Sequence, residues 1–163
     1  MSILGALFGK RRETAKLEPI HTGGKLVKEE FVVVGMPYHM DALKRIATAN
    51  PEWRKGGKRL AADGRALERI WHYTYLNKPV RIEHEADNER SANAMIVLIA
   101  GEHIGYISEE TAAHVRAIIE TTSVKYISAT ISGGECKIVS QNGDEVKSDE
   151  PFRVRVRIGY AAP

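Results

Sequence analysis

The sequence predicts a mainly β protein with two or three short helices (α+β), its strands wrapped into a small, OB-like, partly open β-barrel. Three observations carry this. From Trp71 onward, short runs rich in Val, Ile and Tyr alternate with Gly, Pro, Asn and Asp, the pattern of short strands and tight turns. Helical patterns are short wherever they occur. The 163 residues, 43% hydrophobic and 28% charged, suffice for one packed domain. Many short strands with few helices bury their apolar faces most simply by curling one twisted sheet toward closure.

Composition narrows the function classes. The single cysteine, Cys136, cannot form an intramolecular disulfide and fits a reducing, cytoplasmic setting. No apolar run approaches the ~18 residues of a membrane span, so no integral membrane association is expected. The opening MSILGALFGKRR places its basic residues after a short apolar run, the reverse of a secretory signal. Charge is uneven. Residues 1–81 hold 16 Lys or Arg against 8 Asp or Glu, and residues 82–163 hold 8 against 13. A basic first half suits an acidic partner such as nucleic acid, or is simply a solvated surface.

Residues 1–28 read as an N-terminal leader. Leu4, Leu7 and Phe8 can line one side of a short turn ahead of Lys10, Arg11 and Arg12. An interfacial anchor, a frayed terminus and a handle for a protein partner (residues 3–8) are the alternatives. Residues 29–163 form the barrel domain. Phe31–Val34 is its first strand, ended by Gly35 and Pro37, and Asp41 caps a short helix with Leu43, Ile46 and Ala47 on one face. Asn50-Pro51 stops that helix. The segment EWRKGGKRLAADG reads as an exposed, mobile loop, and RALERIW as a second short helix.

Strands follow at WHYTYL and VRIEHE. In the second, Val80, Ile82 and His84 face one way, and Arg81, Glu83 and Glu85 the other. ADNERSAN is a polar loop. AMIVLIA and HIGYI form a hairpin about Gly101-Glu102. Gly105 lets the second of these strands bend or bulge, with Tyr106 pointing away from Ile104. Ser108 caps a helix whose Ala112, Val115 and Ile119 share a face, with Glu109 and Glu110 at its positive end. The strand KYISATI, the turn SGGE, the strand CKIVS, the turn QNGDE and the strand FRVRVRI complete the chain.

From Phe31 to about Ile119 the ordered set FVVVGMPY, VRIEHEADNERSANAMIVL and GEHIGYISEETAAHV resembles the HIRAN domain, a small β-barrel related to the OB fold. The resemblance implies single-stranded nucleic-acid binding and capture of a DNA 3′ end, a role in DNA repair, with aromatics stacking on bases, an acidic loop residue on the terminal hydroxyl and basic or His residues on phosphate. Carried onto this chain, Tyr38 matches the first stacking aromatic, and Asn88 and Asn93 match loop asparagines. Arg90-Ser91 stands where the family has Tyr-Asp, so a guanidinium replaces the ring and the acidic residue is absent. Tyr106 stands where a His can occur, and Ser108 where a Lys can occur.

The residues themselves offer further contacts. Tyr38 with Tyr106 could stack bases, or both could be ordinary half-buried tyrosines. Arg153, Arg155 and Arg157 alternate with apolar residues and share one strand face, where they could track phosphates or pair with Glu83 and Glu85. Arg54, Lys55, Lys58 and Arg59 form the densest basic patch. The six histidines lack ligand spacing and one cysteine builds no zinc site, so the sequence predicts no metal, no cofactor and no catalytic residue. The expectation is a non-enzymatic module for single-stranded nucleic acid or DNA ends. The alternatives are a protein-docking scaffold and a metal-dependent nuclease accessory using the acidic loop.

Overall fold

The computed structural model describes residues 24–162. The predicted class holds: the chain is mainly β with three short helices, and its sheet curls without closing. Seven antiparallel strands form that sheet. In spatial order they are β3 (Arg69–Trp71), β8 (Ser123–Val139), β9 (Glu145–Ala161), β1 (Leu26–Val34), β7 (Glu102–Ile107), β6 (Met95–Ile99) and β5 (Val80–His84). A separate two-stranded ladder joins β2 (Thr48–Ala49) to β4 (Tyr73–Thr74). Across the seam between β5 and β8, Tyr75 lines a small pocket with Ile46, Val80, Ala129 and Ile131, while Leu76 is exposed. Burial there pushes the Tyr75 hydroxyl up to about 12.

Alternation decides which face is inside. Phe31 and Val33 of β1, Val154, Val156 and Ile158 of β9, and Met95, Val97 and Ile99 of β6 are buried in one core. The helix α3 (Glu109–Thr121) covers them with Ala112, Val115 and Ile118, and α1 (Met40–Ile46) adds Leu43 and Ile46. A smaller core of Leu60, Ile70 and Val139 lies toward the tip of the β8–β9 hairpin, against Trp53. There Lys137, 3% exposed, donates to the carbonyls of Trp53 and Lys55 at 2.8 Å and to Glu145 at 3.1 Å. Its three protons have three acceptors, which is what a buried ammonium requires.

Several local expectations change. Strand β1 begins at Leu26, inside the stretch read as leader, because Leu26–Lys28 pair with Gly159–Ala161. The Ile3–Phe8 run and the basic residues after it lie outside the described residues. Asp41 sits in the first turn of α1 and is not its cap, because a 3₁₀ turn at Met36–His39 runs straight into that helix. The basic segment is no open loop. It forms a 3₁₀ turn (Pro51–Arg54) and α2 (Gly57–Ala62), held by Lys137 and by close packing of Gly57 on the Gly143 carbonyl. The predicted helix at 65–71 gives way to strand β3. Leu67 takes a positive φ, and Arg69–Trp71 pair with Cys136–Ile138 while Ile70 is buried. Tertiary pairing here overrides local pattern.

The SGGE stretch is a bulge in a continuous strand. Ser132 pairs with Arg153 and Gly134 with Glu150, so β9 carries one extra residue there. Hairpin β6–β7 turns on Ala100-Gly101, one residue earlier than expected, and both take positive φ, as a tight two-residue hairpin turn demands.

Gly105 does accompany a bulge. Val97 pairs with Gly105 and Leu98 with His103, which leaves Ile104 as the extra residue. Ile104 and Ile107 therefore both point inward while Tyr106 points outward. The glycine itself answers a packing need: a Cβ there would lie 2.2 Å from the Val34 carbonyl oxygen. Gly105→Ala should therefore push β1 from β7 and destabilise the fold by about 1–3 kcal/mol, the usual cost of overpacking. Urea unfolding would show it as a lower midpoint at unchanged slope.

Candidate nucleic-acid interface

A cavity of about 390 Å³ opens on the outer face of the sheet beside the start of α3. Val34 and Tyr106, directly paired across β1 and β7, form part of its wall. The loop after β5 supplies Asn88, Arg90 and Ser91, and α3 supplies Glu109 and Ala112.

The loop is held by its own side chains. The Asn88 Oδ1 accepts from the backbone N–H groups of Arg90 (2.9 Å) and Ser91 (3.0 Å), a turn that asparagine forms readily. Glu85 N–H donates to the Ala94 carbonyl at 2.8 Å and closes the loop's base. His84 Nε2 donates to the Ala92 carbonyl at 2.7 Å. Asn93 accepts from Arg116 of α3 at 3.3 Å and so ties the loop to the helix.

Glu85 is the hub. One of its oxygens accepts from Asn88 Nδ2 at 2.6 Å and from the Tyr106 hydroxyl at 3.0 Å. These bonds, Asn88's first, hold its carboxyl below the ordinary range. Burial, and then Glu85, raise the Tyr106 hydroxyl. The loop, the hairpin strand and the cavity wall are thus joined through one carboxylate. Ser108 stands at the N-cap position of α3, but its hydroxyl bonds the Thr111 hydroxyl at 3.0 Å and makes no side-chain cap to the backbone. Arg90 and Glu109 have no ion-pair partner among the described residues.

The expected residues do not all converge. Asn88, Arg90, Ser91 and Tyr106 meet at the cavity. Tyr38 is 90% exposed and belongs to a neighbouring depression of about 290 Å³ with His39, Arg45, Glu102 and His103. Between the two lies a row of rings: His39 on His103 with centroids 4.1 Å apart, and His103 edge-on to Tyr106 at 5.0 Å. Tyr38 and Tyr106 therefore serve separate depressions rather than one stacking pair.

Arg153, Arg155 and Arg157 share the exposed face of β9, as alternation predicts, but the acidic partner of Arg155 and Arg157 is Glu30 and not Glu83 or Glu85. Arg54, Lys55, Lys58 and Arg59 lie at the hairpin tip, roughly 25–30 Å along the ladder from the cavity. Lys55 pairs with Glu52 and Asp63, and Arg59 with Asp63, so part of that charge is answered locally.

Sequence reasoning missed Glu85 as the organiser, Glu109 as a cavity carboxylate and Val34 as its apolar wall. The signals existed. Outward alternation puts Glu85 on the face of Tyr106, and Val34 is the outward residue beside Gly35. No group of His, Cys, Asp and Glu among the described residues is arranged to hold a metal ion.

Two groups beside the cavity contribute to an acid sensitivity. His39 sits below its ordinary 6.5, through burial first and then the adjacent His103. Folded His39 resists protonation that the unfolded chain accepts, so stability should fall as pH drops through 6.5 toward the folded value. Glu85 is depressed, so its contribution is present above 4.5 and lost as pH falls through its folded value. Urea midpoints between pH 8 and 3 should lose the upper step in His39→Gln and show a smaller lower step in Glu85→Gln, since Glu29, Glu30, Asp63 and Glu102 are held low as well.

Comparison with family models, with curated proteins and with solved structures returned no match, so the chemistry of this site is read from its own residues.

Proposed function

We propose that the protein is a non-enzymatic module that binds single-stranded nucleic acid, with DNA ends as its preferred target. The observation that carries this reading is the single cavity in which Asn88, Arg90, Ser91 and Tyr106 meet. These are residues that the HIRAN resemblance picks out from sequence alone. A volume of about 390 Å³ suits one nucleotide, at the small end of ligand sites. Val34, Ala112 and the Tyr106 ring offer a base or sugar an apolar wall. Arg90 and Ser91 offer donors to phosphate. Glu109 places a carboxylate where a sugar hydroxyl could donate to it, which answers the acidic residue that the loop lacks. Tyr38, standing free next door, offers a stacking surface to the adjoining base. A cytoplasmic role at DNA ends, as in repair, belongs to the same proposal.

A docking module remains the second reading, because one surface observation favours it. Met36, Met40, Pro151 and Phe152 line a largely apolar depression of about 390 Å³. Salt separates the two readings, since phosphate binding weakens steeply with ionic strength and apolar docking does not.

The test is fluorescence anisotropy with a labelled strand of about ten nucleotides, at low and moderate salt, with a free or phosphate-blocked 3′ end. Tyr38→Ala and Arg90→Ala should each weaken binding by about 5- to 100-fold, the worth of a stacked base or a charged contact. Their urea midpoints should stay at the parent value. Loss of binding with the blocked end identifies the cavity as an end pocket. No binding at low salt would overturn the proposal in favour of docking.

A further inference from the structure

The outer face of β8, β9 and β1 begins at the cavity. Val34, part of the cavity wall, is followed along β1 by Val32 and Glu30 on the same exposed face. Val32 pairs with Arg155 and Glu30 with Arg157, so the arginine row lies one strand, about 4.8 Å, from the cavity wall. Arg153 is the row's end nearest Val34, and Arg157 is about 13 Å farther out. On the other side of the row, Ser132, Thr130 and Ser128 pair with Arg153, Arg155 and Arg157. Each guanidinium thus has a hydroxyl beside it.

The charges on this face are unequal. Glu30 accepts from Arg155 through one oxygen and from Arg157 through the other, each at 3.1 Å. A single carboxylate therefore bridges two guanidiniums, as a phosphate group would. Arg153 has no carboxylate partner among the described residues. The bridged side chains of Arg155 and Arg157 remain 60% and 56% exposed. Ion pairs so open to water are weak and easily exchanged. A bridging carboxylate that only stabilised the sheet would gain little in this position.

We propose that a strand leaving the cavity runs along β9 over Arg153, Arg155 and Arg157 in that order, and that Glu30 is a built-in phosphate substitute which it must displace. Glu30 then holds the affinity for long strands below what the arginines alone would give. It also keeps the pair occupied when no strand is bound. This rests on the nucleic-acid reading above.

The test uses the full chain with labelled strands of three and of twelve nucleotides, read by anisotropy from 50 to 300 mM salt. Glu30→Gln should tighten the twelve-nucleotide strand by about three- to ten-fold, since two exposed ion pairs are released. It should leave the three-nucleotide strand unchanged, because that strand ends within the cavity. Arg155→Ala should lower the salt slope by about 0.7, one phosphate contact, and should shrink the gain from Glu30→Gln in the double variant. Glu30→Ala provides a second removal of the carboxylate, and urea midpoints show that each variant is folded. If the parent binds the long strand but Glu30→Gln binds it equally or more weakly, Glu30 is an orienting group and this inference falls while the nucleic-acid reading stands. If the parent binds neither strand, both fall together.

Discussion

The two halves of the sheet meet at one narrow joint. On one side β1, β9 and β8 form long ladders, and on the other β7, β6 and β5 form a compact meander. Between them β1 and β7 share only the pairs Val33–Ile107 and Val34–Tyr106, extended by the Ser108 N–H bond to the Val32 carbonyl. So short a ladder holds only if the strands come close, and the absent side chain of Gly105 lets the Val34 carbonyl do so. The joint then fixes three things at once. It sets Val34 beside Tyr106, it aims α3 back across the core, and it places the first turn of α3 against the loop after β5. The cavity is what remains above the joint.

Glu85 is the second point on which the site depends. A carboxylate with one oxygen accepting two bonds converts three separate elements into one rigid edge. Without it, Asn88 would still shape the loop locally, but nothing would fix that loop to the hairpin strand. The arrangement explains why a loop of mostly polar residues presents Arg90 and Ser91 in one direction.

How much of this was legible in the sequence depended on whether the cause was local. The core face of β9 could be read because alternation is a property of the strand itself, whereas β1 and β6 are apolar at both parities. Val154 and Val156 were inward by parity alone, between Arg153, Arg155 and Arg157. Helix α3 was legible for the same reason, from Ala112 and Val115. The segment from Pro51 to Trp71 was misread because its structure is imposed from outside. Lys137, more than 80 residues downstream, supplies the bonds that order the turn at Trp53, and β8 converts Arg69–Trp71 into a strand. Within the site, Asn88, Arg90, Ser91 and Tyr106 were found by motif, whereas Glu85 and Glu109 were not. Alternation gives the face of Glu85, but its bond to Tyr106 and the place of Glu109 at the cavity arise from distances across the fold. The same holds for Glu30, whose arginine partners lie 125 and 127 residues away.

The β8–β9 hairpin runs unbroken through both hydrophobic cores, 17 residues in each strand. It acts as a beam carrying the curled sheet at one end and the Trp53 lobe at the other. The beam has one soft point. At Gly133 and Gly134 both backbones take positive φ, and opposite them Pro151 has no N–H to give to the ladder. There the Phe152 ring lies over Gly134 and packs against the main core. The bulge sets the angle at which the beam carries the basic segment of residues 54–59 relative to the arginine row. The aim of the basic segment is therefore set by two glycines and a proline at the foot of the arginine row, where Ser132 pairs with Arg153.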